Sequence, residues 1–369
     1  MKIVSVTQSS VAQVVAEAVT VLRAGGLIIF PTETTYGAGV LATNQAAVDK
    51  LLAYKSRREG KPLSIAVTDL AMAETYVEVN DQAQQLYQQF LPGPVTVVSR
   101  GRQAVATGVE SEFGTLGVRI PAYPLVLDIV KALGQPITAT SANGSGEKRP
   151  YTVPDILERL SDKQKSLIDL IIDAGQLPPN PPSTVIDTTL STPTIFRQGE
   201  ITLDDQASSH LQTFTTTSET ETKDLAKRIV LKHWDDIKER GLVIGLNGSL
   251  GAGKTIFTKG VAEFLHITEP LTSPTYNYLE EYEFNRHGVA GMLYHLDVWK
   301  IEGPHEWDRL AVDELIKPFT VVVIEWFSQV QNSIKDSATF NKAAHVAVSL
   351  TQPQAESEVR EILVAEKSV

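Results

Sequence analysis

The run GSLGAGKT at residues 248–255 matches the phosphate-loop pattern G-x-x-x-x-G-K-[ST] at every fixed position. Before it, LVIGL at 242–246 is a short apolar run of the buried-strand type, and residues 256–265 read as the start of a helix. Strand, glycine-rich loop and helix in that order set backbone N–H groups and the positive end of a helix around a phosphate. In such a loop Gly248, Gly251, Ala252 and Gly253 give the close backbone approach, Lys254 reaches the β- and γ-phosphates of ATP, and Thr255 holds Mg²⁺ through its hydroxyl. This part of the chain is therefore expected to be a nucleotide-binding α/β domain.

A chain of 369 residues is long for one domain, and two are expected. Hydrophobic residues make up 42%, as in an ordinary globular protein, and no apolar run reaches the ~18 residues of a membrane helix. The amino-terminal MKIVSVTQSS lacks the long apolar core of a signal peptide, so the cytoplasm is the expected compartment. Absence of cysteine excludes disulfides, thiolate metal sites and cysteine nucleophiles. There are 17 basic and 21 acidic residues up to residue 205, then 16 and 23, so neither half carries the basic excess of a free-standing nucleic-acid binder. All seven histidines lie at 210 or beyond, which leaves chemistry in the first half to carboxylates, hydroxyls, cations, backbone or the substrate itself.

Residues 1–205 alternate helical patterns with apolar runs. Val11, Val14, Val15, Ala18 and Leu22 share one helical face, and further helices are expected at 46–57 and 81–90. Strands are expected at 27–30, 63–67, 95–99, 117–120, 137–140, 170–173, 184–187 and 194–197, which makes a mixed, twisted α/β sheet domain. Residues 203–222 include TFTTTSETET, rich in Ser, Thr and Glu without an apolar period; the stretch is read as a linker or an extended arm, with the linker placed at 206–220. Helical patterning restarts at KDLAKRIVLKHW, and a second domain is expected over 221–369, with strands at 278–284, 292–300, 320–324, 344–350 and 358–365.

Three stretches in the first half carry polar groups out of apolar strands. FPTETTYGAG at 30–39 is read as a hydroxyl- and glycine-rich loop at a strand end, either a capped turn or a ligand site. Lys55, Arg57, Arg58 and Lys61 cluster at a helix end, as a dipole-matched cap or as a polyphosphate clamp. TATSANGSG at 138–146 offers Ser141 and Asn143 among glycines. Arg119 sits in the apolar GVRIP and needs a partner there, a structural acid or a carboxylate ligand.

Taken together, PTETTYGAG, Lys55-x-Arg57 before KPL, LPGPVT, GVRIP, TSANGSG, PSTVID and FRQGE resemble, in content and order, the YrdC/TsaC family over nearly all of residues 1–205. The resemblance implies a YrdC-like fold that makes threonylcarbamoyl-adenylate from L-threonine, bicarbonate and ATP, with release of pyrophosphate, for threonylcarbamoyl modification of tRNA. It implies that Thr34, Arg119 and Ser183 hold threonine, with Arg119 on its carboxylate. It also implies that Lys55, Arg57, Lys61, Thr115, Ser141, Asn143, Arg149 and Arg197 surround ATP, with Lys55, Arg57, Ser141 and Asn143 nearest the chemistry. Some members carry a histidine shortly after the basic cluster, where Ala66 stands here.

In the second half, VVVIE at 321–325 is an apolar strand ending in a carboxylate, a usual place for a second Mg²⁺ contact. Asp297 in LYHLDVWK is another strand-end acid, and either could instead be a surface or capping acid. NGSLGAGKT, TSPTYNYLEEY, YHLDVWK and VVVIEW as a set resemble the TsaE/YjeE family of small P-loop ATPases from about residue 220 onward. The resemblance implies Lys254 on phosphates, Thr255 and Glu325 on Mg²⁺, Asp297 on the metal or the attacking water, and a switch around Ser273 and Thr275. It further implies a threonylcarbamoyl-transferase complex (TsaD/TsaB-like) as partner, and tRNA only indirectly. Ser249, where an acid is usual, and Trp299-Lys300, where Tyr-Arg is usual, depart from the pattern. Two other classes remain open from sequence: a nucleotide-controlled RNA-binding module, and a protein carbamoyl-transfer factor.

Overall fold

The computed structural model describes residues 1–55, 62–143, 148–190, 193–201, 211–272, 274, 278–301, 307, 309–334, 337–353 and 358–366. The chain divides into two compact units, Met1–Thr189 with Pro193–Leu203, and Leu190–Thr192 with Asp204–Val369.

Among the described residues the first unit carries two mixed sheets. One runs in the order β1 (Lys2–Ser5), β10 (Leu170–Asp173), β2 (Ile28–Pro31), β3 (Tyr36–Gly39) and β9 (Thr140–Ser141). The other runs β12 (Thr194–Arg197), β11 (Thr184–Asp187), β6 (Val95–Gly101), β7 (Thr115–Arg119), β4 (Ser64–Ala66) and β8 (Ile137–Thr138), with β5 (Val77–Glu78) paired to β6. β2 is buried throughout because both of its faces are covered. Ile28 and Phe30 join one core cluster with Val14, Ala18 and Leu22 of the helix Val11–Arg23, while Leu27 and Ile29 join the other. That helix starts at a reciprocal Ser10–Gln13 capping box, and each Val or Leu it buries contributes roughly 1.5–3 kcal/mol.

The expected loop at 30–39 is mostly not a loop. Tyr36–Gly39 turns back as β3, antiparallel to β2, with Pro31 opposite Tyr36 and Ile28 opposite Gly39. The glycines serve close packing: a Cβ on Gly39 would stand 2.6 Å from the Thr138 carbonyl oxygen and 2.7 Å from the Phe30 ring. Only residues 32–35 remain as the turn. Thr32 ties it, donating from Oγ1 to the Thr35 carbonyl at 2.6 Å and accepting from the Thr34 and Thr35 amides at 3.2 Å each.

The second unit is one sheet among the described residues, in the order β13 (Leu211–Thr216), β19 (Arg360–Glu366), β18 (Ala344–Thr351), β14 (Leu242–Asn247), β17 (Thr320–Glu325), β16 (Val289–Asp297) and β15 (Leu279–Arg286). β14 is central and parallel to both neighbours. The stretch expected as a linker, 206–220, is therefore not structureless throughout. Leu211–Thr216 is an edge strand on β19, and Ser218 caps a helix that begins at Glu219. This edge strand buries one face only: Phe214 and Thr216 are buried and the alternate Thr213 and Thr215 exposed, so no apolar run marks it.

Where that helix ends, His233 bonds through Nδ1 to Asp236 Oδ2 at 2.8 Å and lies 3.8 Å from Glu366, which also takes Lys232 at 2.6 Å. Burial opposes charge on His233, but Asp236 and Glu366 outweigh it and raise its pKa. Burial likewise pushes the Glu366 carboxyl up, but His233 and Lys232 hold it down at about 2, and Asp236 is lowered mainly by its hydrogen bond from His233. The carboxylates thus stabilise the unit above their ordinary range, and that contribution is lost as pH falls from about 4.5 toward about 2. The His233 contribution has the opposite sense, full below about 6.5 and lost as pH rises through its raised pKa. All four tryptophans lie at 234–326, so their fluorescence reports this unit. Urea unfolding followed that way should lose stability on the acid side, and Glu366→Gln should flatten that limb; equal acid dependence in the two proteins would contradict the assignment.

Candidate functional site

In the first unit a cavity of about 300 Å³ lies between one face of the second sheet, lined by Thr96, Val98, Gly117, Arg119 and Val185, and the residues Thr34, Thr140 and Ser141 beside the first sheet. Eight of the residues expected at the site line it: Thr34, Lys55, Arg119, Ser141, Asn143, Arg149, Ser183 and Arg197. Arg57 and Lys61 lie outside the described residues. Thr115 does not line the cavity; its hydroxyl pairs with Ser111 Oγ at 2.7 Å and its amide donates to the same oxygen at 3.0 Å, so it ties a turn.

Each functional side chain is held by its neighbours. Lys55, the last residue of the helix Gln45–Lys55, is 2% exposed. Its ammonium donates to the Ser141 carbonyl at 2.7 Å and the Asn143 carbonyl at 2.5 Å, which holds the TSAN stretch against the cavity. Arg197 donates through Nη2 to Ser183 Oγ at 2.8 Å and through Nε to the Ser183 carbonyl at 3.1 Å, and Thr96 pairs with Ser183 Oγ at 3.0 Å. The glycine of FRQGE allows this: a Cβ on Gly199 would stand 2.1 Å from the Pro182 carbonyl oxygen. Arg119 forms an ion pair with Glu33 at 2.5 Å, yet Arg119 Nε and Glu33 Oε2 are both buried without a hydrogen bond.

The cavity is cationic. Arg197 presents surface at its rim, but its guanidinium sits in a protein-lined cleft; incomplete solvation, then repulsion from Arg119 and Arg149, bring its pKa down to about 10. It stays charged at neutral pH. Three guanidiniums and an ammonium line it, and Glu33 pairs with Arg119, a charge balance that suits a polyanion.

In the second unit the phosphate loop leaves the end of β14 and enters the helix Lys254–Phe264. Gly248, Gly251 and Gly253 have φ of 148°, 83° and 104°, backbone that only glycine adopts without strain. Lys254 donates to the Gly248 and Ser249 carbonyls at 2.9 and 3.0 Å, and its ammonium lies 3.9 Å from the centre of the Trp326 ring. Burial lowers its pKa, partly offset by Glu325 and Asp297. Those two acids are register partners at the ends of β17 and β16, both buried, and Thr255 Oγ1 donates to Glu325 Oε1 at 3.1 Å. A hydroxyl and two carboxylates so gathered are hard oxygen donors, which fit Mg²⁺. Trp307 belongs to the core cluster, whereas Trp299 is exposed. Ser273 and Thr275 lie outside the described residues.

A family model described as "Telomere recombination" (Sua5_yciO_yrdC) matches residues 20–199, and one described as "Threonylcarbamoyl adenosine biosynthesis protein TsaE" matches residues 216–361. An uncharacterized protein of Haemophilus influenzae is 31% identical over 189 residues, 51% of this chain and 90% of that one. The chain belongs to the Sua5–YciO–YrdC family and carries a TsaE domain after it. The threonylcarbamoyl-AMP synthase of Pyrococcus abyssi is 34% identical over 185 residues, 50% of this chain and 53% of that protein. The structure of P. abyssi Sua5 complexed with L-threonine matches with a TM-score of 0.51 at 20% identity, over 88% of this chain and 92% of that one, a likeness of fold.

Two residues of this YrdC–TsaE chain were not read from sequence. Glu33 is the partner that Arg119 required, and its place one residue before Thr34 carried no periodic signal. His295, fully buried in β16, bonds through Nε2 to the same Glu325 oxygen that Thr255 reaches, at 3.0 Å. A histidine between Tyr294 and Leu296 in an apolar strand was the available sign.

The charge of the YrdC cavity predicts anion binding without any other substrate. In full-length protein carrying Lys254→Ala, pyrophosphate should bind with an affinity that falls as salt rises. Adding Arg197→Gln should weaken it about tenfold, the scale of one charged hydrogen bond. Calorimetric titration giving equal affinities with and without Arg197 would contradict the cationic reading.

Proposed function

We propose that the YrdC unit makes threonylcarbamoyl-AMP from L-threonine, bicarbonate and ATP, and that the TsaE unit is an Mg²⁺-dependent ATPase serving the threonylcarbamoyl-transferase complex that acts on tRNA. The observation that carries the first half is the cavity in which Arg119, Arg149, Arg197 and Lys55 converge beside the hydroxyls of Thr34 and Ser183. Arg119, with Nε unused, takes the threonine carboxylate, and Thr34 and Ser183 complete that pocket. Lys55, Ser141, Asn143, Arg149 and Arg197, with Arg57 and Lys61, hold the triphosphate.

The threonine amine, as the free base, forms a bond to the carbon of bicarbonate or CO₂; with bicarbonate a C–O bond breaks and hydroxide leaves with a nitrogen proton as water, and with CO₂ one nitrogen proton is released to solvent. An oxygen of the resulting carbamate then bonds to the α-phosphorus of ATP while the bridging bond to the β-phosphate breaks, and pyrophosphate leaves. The first half contains no histidine, so the chain contributes alignment and positive charge rather than an imidazole base. Thr115 has no direct part in this scheme; it shapes the turn it ties. ATP, threonine and bicarbonate are cytoplasmic metabolites, and the cytoplasm is the compartment we propose.

In the TsaE unit Lys254 takes the phosphates in exchange for the Gly248 and Ser249 carbonyls, and Thr255, Glu325 and Asp297 hold Mg²⁺, which supplies charge to the phosphates when bound. His295 fixes the orientation of Glu325. The exposed Trp299 is a contact for the transferase complex.

Two products separate the units. Threonylcarbamoyl-AMP (counted together with the AMP its hydrolysis releases) and pyrophosphate should form only when threonine and bicarbonate are both present, and Arg119→Ala should raise the KM for threonine tenfold or more with a smaller effect on that for ATP. Lys254→Ala should abolish ADP formation and leave formation of the adenylate and pyrophosphate largely intact. Pyrophosphate release independent of threonine, or loss of both products in folded Lys254→Ala protein, would overturn the scheme.

A further inference from the structure

Beside the cavity of the first unit stands an ion pair that is only half made. Glu33 lies in the turn of residues 32–35, which the Thr32 hydroxyl ties, and its carbonyl accepts from Asn180 Nδ2 at 2.8 Å, so the backbone that carries it is held from both sides. Its Oε1 meets Arg119 Nη2 at 2.5 Å. Guanidinium and carboxylate commonly join through two parallel bonds. Here the second bond is missing: Arg119 Nε and Glu33 Oε2 are both buried, and neither makes a hydrogen bond.

A buried donor and a buried acceptor left open are each costly, and a ligand with one anion and one cation satisfies both. An α-amino acid is such a ligand, with carboxylate and ammonium on one carbon. The ammonium also needs an anion among cations, since Lys55, Arg149 and Arg197 line the same cavity as Arg119. No Asp or Glu is among the described residues that line it, and no histidine precedes residue 210. Glu33, bonded to the lining residue Arg119, is the acid that the site has. Chemistry at nitrogen requires one more thing. An α-amine, with an ordinary pKa of about 8, is mostly ammonium at neutral pH and has no electron pair to share until a proton is taken.

We infer that Glu33 is a catalytic residue of the first unit, the group that holds the threonine ammonium and takes its proton. The inference rests on the reaction proposed for that unit and supplies the free amine with which the reaction starts. The threonine carboxylate bonds to Arg119 through the open Nε, and Glu33 Oε2 accepts from the ammonium. One N–H bond then breaks and an O–H bond forms at Oε2. The electron pair left on nitrogen bonds to the carbon of bicarbonate or CO₂, and the proton on Glu33 passes to solvent after the adenylate has left. The half-made pair is thus matched to its ligand: it spends one bond on keeping Glu33 and Arg119 together and leaves one arm of each for the amino acid.

The test is the pH dependence of kcat/KM for threonine, read as pyrophosphate release by full-length wild type and by Glu33→Gln, whose amide still accepts from Arg119 but takes no proton. The ratio of the two removes the pH dependence of bicarbonate and CO₂, which both proteins share. Without Glu33 the amine must arrive already deprotonated. The variant should therefore be slower by at least a hundredfold at about pH 6 and recover by roughly tenfold per pH unit up to about pH 8. Recovery at high pH also shows that the variant is folded. Wild-type kinetics in Glu33→Gln, or a loss of the same size at every pH, as expected of a residue that only braces Arg119, would overturn this assignment alone. If Glu33→Gln does not fold, binding to the wild type decides. Threonine should bind at least tenfold tighter than dihydroxybutyrate, its analogue with a hydroxyl in place of the amine, and equal affinities would overturn the assignment. A wild type without threonine-dependent pyrophosphate release would overturn the proposed reaction and this assignment with it.

Discussion

A buried ammonium must be met by oxygen, and both units meet it in the same way. Lys55 donates to the Ser141 and Asn143 carbonyls, and Lys254 to the Gly248 and Ser249 carbonyls. In each case the lysine sits at a helix terminus and the carbonyls belong to a loop that leaves a strand end. The bonds satisfy a cation that is costly to desolvate, and they hold the loop in one shape before any ligand arrives. Phosphate oxygens are stronger partners for the same ammonium, so ligand binding replaces one set of oxygens with another instead of creating a charged site afresh.

The surroundings of these lysines distinguish the two chemistries. Around Lys55 stand Arg119, Arg149 and Arg197, close enough for the last to be depressed by the other two. That environment suits a triphosphate and an amino-acid carboxylate together, the components of an adenylate-forming reaction. Around Lys254 stand Glu325 and Asp297, aligned across β17 and β16 with Thr255 beside them. Oxygen donors there suit a divalent cation on a nucleotide. The same lysine device thus stands in a cationic cavity in one unit and beside paired carboxylates in the other.

The parts legible in the sequence were those written in local patterns. The phosphate loop and β14 follow from four fixed positions and one apolar run; β10, β11 and β12 follow from short apolar segments bounded by turn residues, and the structure has them at the expected ends. Eight cavity residues were named from motifs whose order survives in the chain. What was hidden depends on contacts between distant segments. Glycines in YGAG looked like loop residues but mark β3 pressed on Phe30. The Ser/Thr-rich run before residue 217 looked like a linker because an edge strand buries only Phe214 and Thr216. Pairing of Glu33 with Arg119 and of His295 with Glu325 spans 86 and 30 positions, beyond the reach of any periodicity.

The proposed reaction joins threonine, bicarbonate and ATP into one product in the cationic cavity. The most direct measurement is mass spectrometry of the reaction mixture with ¹³C-bicarbonate. The expected result is an adenylate containing threonine, one mass unit heavier than from unlabelled bicarbonate, formed by the wild type and by Lys254→Ala alike. An unlabelled adenylate, or ADP as the only nucleotide product with all three substrates present, would contradict it.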